Sequence, residues 1–103
     1  MKRLQLHIAE DASEEITAAL EWWRSNRTAV PDALKDDLQR GLDLIRTQPG
    51  VGARALNTRL PGVRRLTLSR VRYHVYYALA DDGASIEVLR FWHSSRGKFP
   101  NIP

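Results

Sequence analysis

No cysteine occurs among the 103 residues, which excludes disulfide staples and thiolate metal sites and makes a reducing compartment comfortable. Glycine is sparse, six in all, and those at 50, 52, 62, 83 and 97 build neither a phosphate-cradling loop nor a dinucleotide fingerprint, so no nucleotide cofactor is expected. Long apolar runs are missing too. Nothing approaches the ~18 consecutive apolar residues that span a bilayer, and the opening Met1-Lys2-Arg3 is followed by LQLHIAED, which alternates in polarity instead of forming a secretory segment. A cytoplasmic protein without a membrane partner is expected.

Acidic residues are scarce in one half only. Residues 1–50 carry seven Lys/Arg and nine Asp/Glu, whereas residues 51–103 carry nine and three. Positive charge therefore gathers in the second half, where phosphates or an acidic protein would be drawn. The length suits a single domain spanning 1–103. Hydrophobic content of 43% with 27% charged residues is globular and argues against a disordered chain.

What is present is a clear alternation of periods. Leu4, Leu6 and Ile8 alternate with Gln5 and His7, predicting a short strand with one buried face. A helix follows, with Asp11 read as its N-cap and Glu14 three residues on. Its apolar stripe is Ala12, Ile16, Ala19, Leu20 and Trp23, and it should end near Ser25 to Thr28. Pro31 suits the first position of a second helix and Asp32 its positive end. Leu34, Leu38, Leu42 and Ile45 then recur every three or four residues until Gln48-Pro49-Gly50 stops the helix. The short link makes the two helices an antiparallel hairpin. Residues 50–62 read as a loop.

Strand-like runs then follow at 63–68, 71–79 and 85–93. In the second, Val71, Tyr73, Val75, Tyr77 and Leu79 share one face, and Arg72, His74 and Tyr76 the other. Asp81-Asp82-Gly83 marks the turn into the third. That third strand has Ile86 and Val88 on one face and Leu89 and Phe91 on the other, so it is either buried on both sides or bulged. The expected fold is α+β, a helical hairpin packed on a mostly antiparallel sheet in the order β-α-α-β-β-β.

Three histidines, His7, His74 and His93, match no metal-ligand spacing, and no metal site is expected. Ser94 and Ser95 beside His93 lack the strand-turn-helix elbow and orienting acid of a hydrolase. Trp22 and Trp23 are adjacent on a helix, so Trp23 is assigned to the core and Trp22 to its edge or to an interface. The strongest constellation is Arg64, Arg65, Arg70, Arg72, His74, Arg90, His93, Arg96 and Lys98, interleaved with Tyr73, Tyr76 and Trp92. Guanidinium groups bind phosphate or carboxylate in bidentate fashion and aromatic rings accept stacked bases, so RNA and acidic protein both fit. RNA cleavage would need a proton acceptor, which arginine cannot be, leaving His74, His93 or a shifted tyrosine or lysine.

The segment LPGVRRLTLSRVRYHVYYALADDGASIEVLRFWHSSRGKFP resembles the carboxy-terminal half of the RelE/ParE family of type II toxins. Arg65 stands for the arginine-bearing strand of that family, Tyr73 to Tyr77 for its Tyr-x-x-x-Tyr strand, and His93 with Arg96 for its terminal His-x-x-Arg. The two preceding helices and Pro49-Gly50-x-Gly52 extend the resemblance over nearly the whole chain. It implies one of two activities: gyrase inhibition by binding, as in ParE-type members, or messenger cleavage on the ribosome, as in RelE-type members. His74 stands where an arginine is expected after the strand tyrosine, Thr67 where a catalytic lysine is common, and Phe99 and Pro100 near the late tyrosine.

Those departures favour the gyrase-binding toxin, which would have no catalytic residues of its own. Its expected contacts with target or antitoxin are Arg64, Arg65, Arg72, Arg90, Trp92, His93, Arg96 and Lys98. Under the ribosome-dependent alternative, Arg65, His74, His93 and Arg96 would act on messenger RNA. A third reading is a non-toxic relative kept for antitoxin binding. The resemblance also implies a cognate antitoxin whose acidic segment wraps the hairpin and extends the sheet. No cofactor and no small-molecule substrate are expected.

Overall fold

The computed structural model describes residues 3–56, 58–96, 100 and 102. Strand β1 (Gln5–Ile8) leads into helices α1 (Glu10–Asn26) and α2 (Ala33–Thr47), followed by β2 (Ala53–Arg54), β3 (Val63–Leu68), β4 (Tyr73–Leu79) and β5 (Ser85–His93). The five strands form one sheet in the order β1-β5-β4-β3-β2. Only the β1–β5 pair is parallel. Both helices cover the same face, where Ala12, Ala19, Trp23, Leu34, Leu38 and Ile45 meet Leu68, Val75, Tyr77, Ile86, Val88 and Phe91.

Several local expectations give way to tertiary contacts. The N-cap of α1 is Ala9, not Asp11, because the Ala9 N–H donates to the Val88 carbonyl at 2.9 Å and the Ala9 carbonyl accepts from Ser13 at 2.9 Å. The exit from β1 thus fixes where the helix starts. Asp11 falls inside the first turn beside Glu10, where it faces the positive end of the helix dipole. The cap of α2 is Asp32, so Pro31 lies before the helix, outside its first turn. The loop expected over 50–62 contains the two-residue strand β2, whose Ala53 and Arg54 pair with Arg65 and Arg64. Ile8, assigned to a buried face, is 42% exposed, since β1 is an edge strand.

Two glycines mark close approaches. A Cβ on Gly41, in the middle of α2, would fall 2.8 Å from the Leu68 side chain, so its absence lets the helix settle onto β3. A Cβ on Gly52 would meet the Tyr77 hydroxyl at 2.8 Å and the Arg65 carbonyl oxygen at 2.9 Å. That hydroxyl accepts from the Gly52 N–H at 2.9 Å and donates to the Pro49 carbonyl at 2.7 Å, pinning the loop after α2 to the centre of the sheet.

The third strand proves to be both doubly buried and bulged. Tyr76 pairs with Arg90 but Tyr77 with Val88, so Leu89 is an extra residue that reverses the alternation. Ile86, Val88 and Phe91 thereby all serve the helix-covered core. Leu89 and Trp92 turn to a second, smaller core with Val63, Tyr76 and Ile102 on the other face. Tyr76, placed on the polar face by alternation alone, is fully buried.

Beyond Val88 no strand among the described residues pairs with the outer edge of β5, because β1 has ended. Glu15 of α1 takes that place. Its carboxylate accepts from the Phe91 N–H at 3.0 Å and from Arg90 Nε at 3.0 and 3.1 Å and Nη2 at 2.6 Å, with both side chains less than a fifth exposed. Removing it takes the acceptor from a backbone donor and the counter-charge from a largely buried cation. Glu15→Ala should lower unfolding stability by about 2–4 kcal/mol in urea titration, and Glu15→Gln by less because its amide oxygen still accepts from Phe91. Equal losses in the two variants would show that the carboxylate charge, not the edge hydrogen bond, carries the effect.

Candidate functional site

Alternation along the strands decides which basic residues meet. Leu66 and Leu68 of β3 face the helices across from Val75 and Tyr73, so Arg65 and Thr67 face away, opposite Tyr76 and His74. His74 is cross-strand from Trp92, and Tyr73 from His93. The face turned from the helices thus collects Arg65, Thr67, His74 and Trp92, while His93, opposite the helix-facing Tyr73, lies at the same end of the sheet on the helix side. Arg96 joins from the segment after β5, its guanidinium carbon 3.6 Å from the Trp92 ring centroid, a tight cation–π stack.

The turn from β3 to β4 adds Arg72. Its φ of 64° is the one left-handed value among the described non-glycine residues, a conformation that costs about 1–2 kcal/mol with a side chain present. Two hydrogen bonds hold it there, from its own N–H to the Leu68 carbonyl and from Ser94 N–H to its carbonyl, both 2.7 Å. The second ties the turn to the segment carrying Ser94, Ser95 and Arg96.

Others of the basic set are committed internally. Arg70 binds Asp37 through Nε at 3.0 Å and Nη2 at 2.7 Å. The Asp37 carboxyl is opposed by burial, yet hydrogen bonds from Arg70 and Arg40 prevail and hold it below the ordinary carboxylate range. Arg90 belongs to Glu15 and also lies 5.0 Å from the Trp92 ring. Arg64 donates to the Gly52 carbonyl at 2.7 Å. Trp92 is only 7% exposed and serves as the floor on which Arg96 lies. Lys98 and Phe99 fall outside the described residues, while Pro100 is buried.

The imidazoles are strongly conditioned by these surroundings. His93 Nδ1 accepts from the Ser95 N–H at 3.1 Å and lies 2.6 Å from the Ser95 hydroxyl oxygen. A backbone N–H can only donate, so Nδ1 must carry the lone pair and Nε2 the proton. Burial, then the nearby Arg72 charge, pushes the His93 pKa down from its ordinary value. His74 Nδ1 is 2.9 Å from the Thr67 hydroxyl, and burial, Arg65 and His93 together lower its pKa. Both rings are therefore neutral near pH 7. The tyrosines are structural: burial raises the pKa of Tyr73 and Tyr77, and the buried Tyr76 hydroxyl meets no hydrogen-bond partner among the described residues.

The arrangement can hold an anionic surface through Arg65, Arg72 and Arg96 while His93 offers one neutral N–H. Among the described residues no cluster of His, Cys, Asp or Glu could hold a metal ion, and His7 sits on β1, the edge strand at the far side of β5 from β4. Two features had no signature in the sequence: the left-handed Arg72 and the Ser95 cap on His93. Proximity of Ser95 to His93 was visible, but its direction of hydrogen bonding was not.

Comparison with known proteins agrees with this architecture. The family model described as the ParE toxin of the type II toxin-antitoxin system parDE matches residues 6–97. A structure of the chromosomal ParDE system from P. aeruginosa superposes with a TM-score of 0.67 at 20% identity, covering 88% of this chain and 96% of that one. The RelBE2 toxin-antitoxin complex from Mycobacterium tuberculosis gives 0.60 at 15% identity, covering 89% and 99%. The intact E. coli RelBE complex gives 0.56 at 22% identity, covering 90% and 99%. No curated protein is matched.

Depressed histidine pKa values make stability pH-dependent. The unfolded chain binds protons near the ordinary value of 6.5 that the folded rings refuse, so stability is fully present above that pH and declines as pH falls through it. Urea unfolding at about pH 7.5 and about pH 5.5 should show the decline. A His74→Asn/His93→Asn double variant, which keeps an acceptor but cannot titrate, should flatten the slope. An unchanged slope in that variant would assign the decline to other groups.

Proposed function

The chain belongs to the ParE toxin family of type II toxin-antitoxin systems, and on that premise we propose that it is a binding toxin: it inhibits DNA gyrase in the cytoplasm by occupying it and is neutralised by a cognate antitoxin. The hydrogen bonding of His93 carries this reading. With Nδ1 committed to Ser95 and Nε2 protonated, the ring of the terminal His-x-x-Arg has no lone pair to offer a 2′-hydroxyl and cannot be a general base without changing tautomer. Tyr77, which both accepts from Gly52 and donates to Pro49, is likewise occupied.

What remains around His93 is charge, which suits recognition of an acidic protein surface. Arg65, Arg72, Arg96 and His93 are the proposed contacts with the target. Trp92 supports Arg96 by stacking, and Arg90 lies against the same ring. Arg64, on the opposite face of β3 from Arg65, is tied to the Gly52 carbonyl, and Lys98 is a further cation of the set in the sequence. An antitoxin partner is supported by the similar structures, which are described as a ParDE toxin-antitoxin system and RelBE toxin-antitoxin complexes. The open edge of β1 offers it an unpaired strand and the α2 surface an apolar groove lined by Leu6, Leu38 and Leu42.

A second reading, ribosome-dependent RNA cleavage, is favoured by one observation. Arg65 lies close enough to His74 to help lower its pKa, so a phosphate-binding cation and a neutral imidazole are neighbours.

The purified protein should block supercoiling by purified gyrase, and Arg72→Ala and Arg96→Ala should each weaken inhibition about 5–10-fold while His93→Asn keeps most of it. Undisturbed supercoiling at saturating protein would refute the gyrase reading. Mapping of messages after induction without antitoxin separates the second reading: codon-phased cuts that disappear in His74→Ala would establish cleavage, and intact messages would dismiss it.

A further inference from the structure

We infer that the cleft between the C-terminal end of α1 and the turn joining β3 to β4 binds a nucleoside 5′-phosphate, free or at the end of a single strand, with the base against Trp22 and the phosphate between Arg27 and Arg72. The cleft encloses about 530 Å³, within the range of small-ligand sites. Trp22, Trp23 and Val30 supply apolar lining, and Arg27, Arg70, Arg72 and His93 supply polar lining, Arg70 being paired with Asp37. Among the described residues no carboxylate lines it.

Four observations converge on an aromatic anion. Trp22 is 49% exposed, although a tryptophan at a helix end gains most by burying its ring. The Arg27 guanidinium lies over the Trp22 and Trp23 rings, 5.6 and 5.8 Å from their centroids, so a cation already sits at the aromatic surface. Trp23 Nε1 donates to the Val30 carbonyl at 2.9 Å, which leaves the floor without a polar demand of its own. Arg72 holds a long charged side chain in a backbone conformation that glycine would adopt without strain. A position where a simpler residue would be more stable is where a ligand contact is to be sought.

A terminal phosphate presents its acceptors in the bidentate geometry that guanidinium donors match, and the exposed Trp22 ring offers a face on which a base can stack. The cleft shares Arg72 and His93 with the proposed gyrase contacts, but nucleotide binding is read by direct titration, so its failure and that of the gyrase reading are distinguishable.

Indole N–H signals in an NMR titration would report it. Adenosine 5′-monophosphate should shift the Trp22 signal saturably and at least about tenfold more tightly than adenosine or inorganic phosphate alone. Arg72→Gly, which relieves the strain, should raise the melting temperature by about 2–6 °C yet weaken the nucleotide about tenfold. Trp22→Ala should weaken it comparably. A short oligothymidylate with a 5′-phosphate, compared with its 5′-hydroxyl form, separates the sources: preference for the phosphorylated strand over the mononucleotide identifies a strand end, and the reverse a free nucleotide. No saturable shift with either, equal affinity for adenosine, or unchanged affinity in Arg72→Gly would overturn the proposal. So would displacement of the nucleotide by an acidic peptide that binds more tightly, which would assign the cleft to a protein segment.

Discussion

One extra residue in β5 governs how this small sheet is built. A central strand of strict alternation would give its apolar side chains to whichever face the pleat dictates. By bulging at Leu89, β5 delivers Ile86, Val88 and Phe91 to the helices and still gives Leu89 and Trp92 to a second core. Both faces of a sheet in a chain of this size are thereby partly covered. The bulge also leaves the Phe91 N–H turned to the open edge, where the Glu15 carboxylate meets it, so the first turns of α1 are tied to the strand at its irregular point.

The basic end of the sheet inherits its geometry from this arrangement. Trp92, turned away from the helices, becomes the ring on which Arg96 stacks. Phe91, turned toward them, stacks on Tyr73 at 4.6 Å with nearly parallel planes, and Tyr73 in turn meets the edge of His93. The Ser94–Arg72 hydrogen bond then ties the two segments that carry the exposed guanidiniums. Internal acids withdraw two members of the basic set from that surface: Asp37 holds Arg70 and Glu15 holds Arg90.

Most of the fold was legible in the sequence because periodicity reports burial directly. β3 and β5 fall at the expected 63–68 and 85–93, α1 stops at Asn26 within the expected Ser25 to Thr28, and α2 stops at Thr47, just before the expected Gln48-Pro49-Gly50. The failures share one cause, contact between elements distant in sequence. Ala9 caps α1 because of Val88, β2 exists because of β3, and Tyr76 is buried because residues near the C-terminus cover it with Val63 and Trp92. For the site, residue type identified the basic set but could not say which members were already paired. Arg65, Arg72, Arg96 and Arg90 look alike in sequence, yet only the last is enclosed with a carboxylate.

The pairing of β1 with β5 brings the first strand of the chain beside the last, with parallel register from Gln5 opposite Ser85 to Ile8 opposite Val88. During synthesis, therefore, β2, β3 and β4 can pair as a meander and the helical hairpin can form before β5 emerges, but β1 must wait for β5. The order of the strands thus makes closure of the sheet at its β1 edge a late, non-local event, about eighty residues after β1 itself is made.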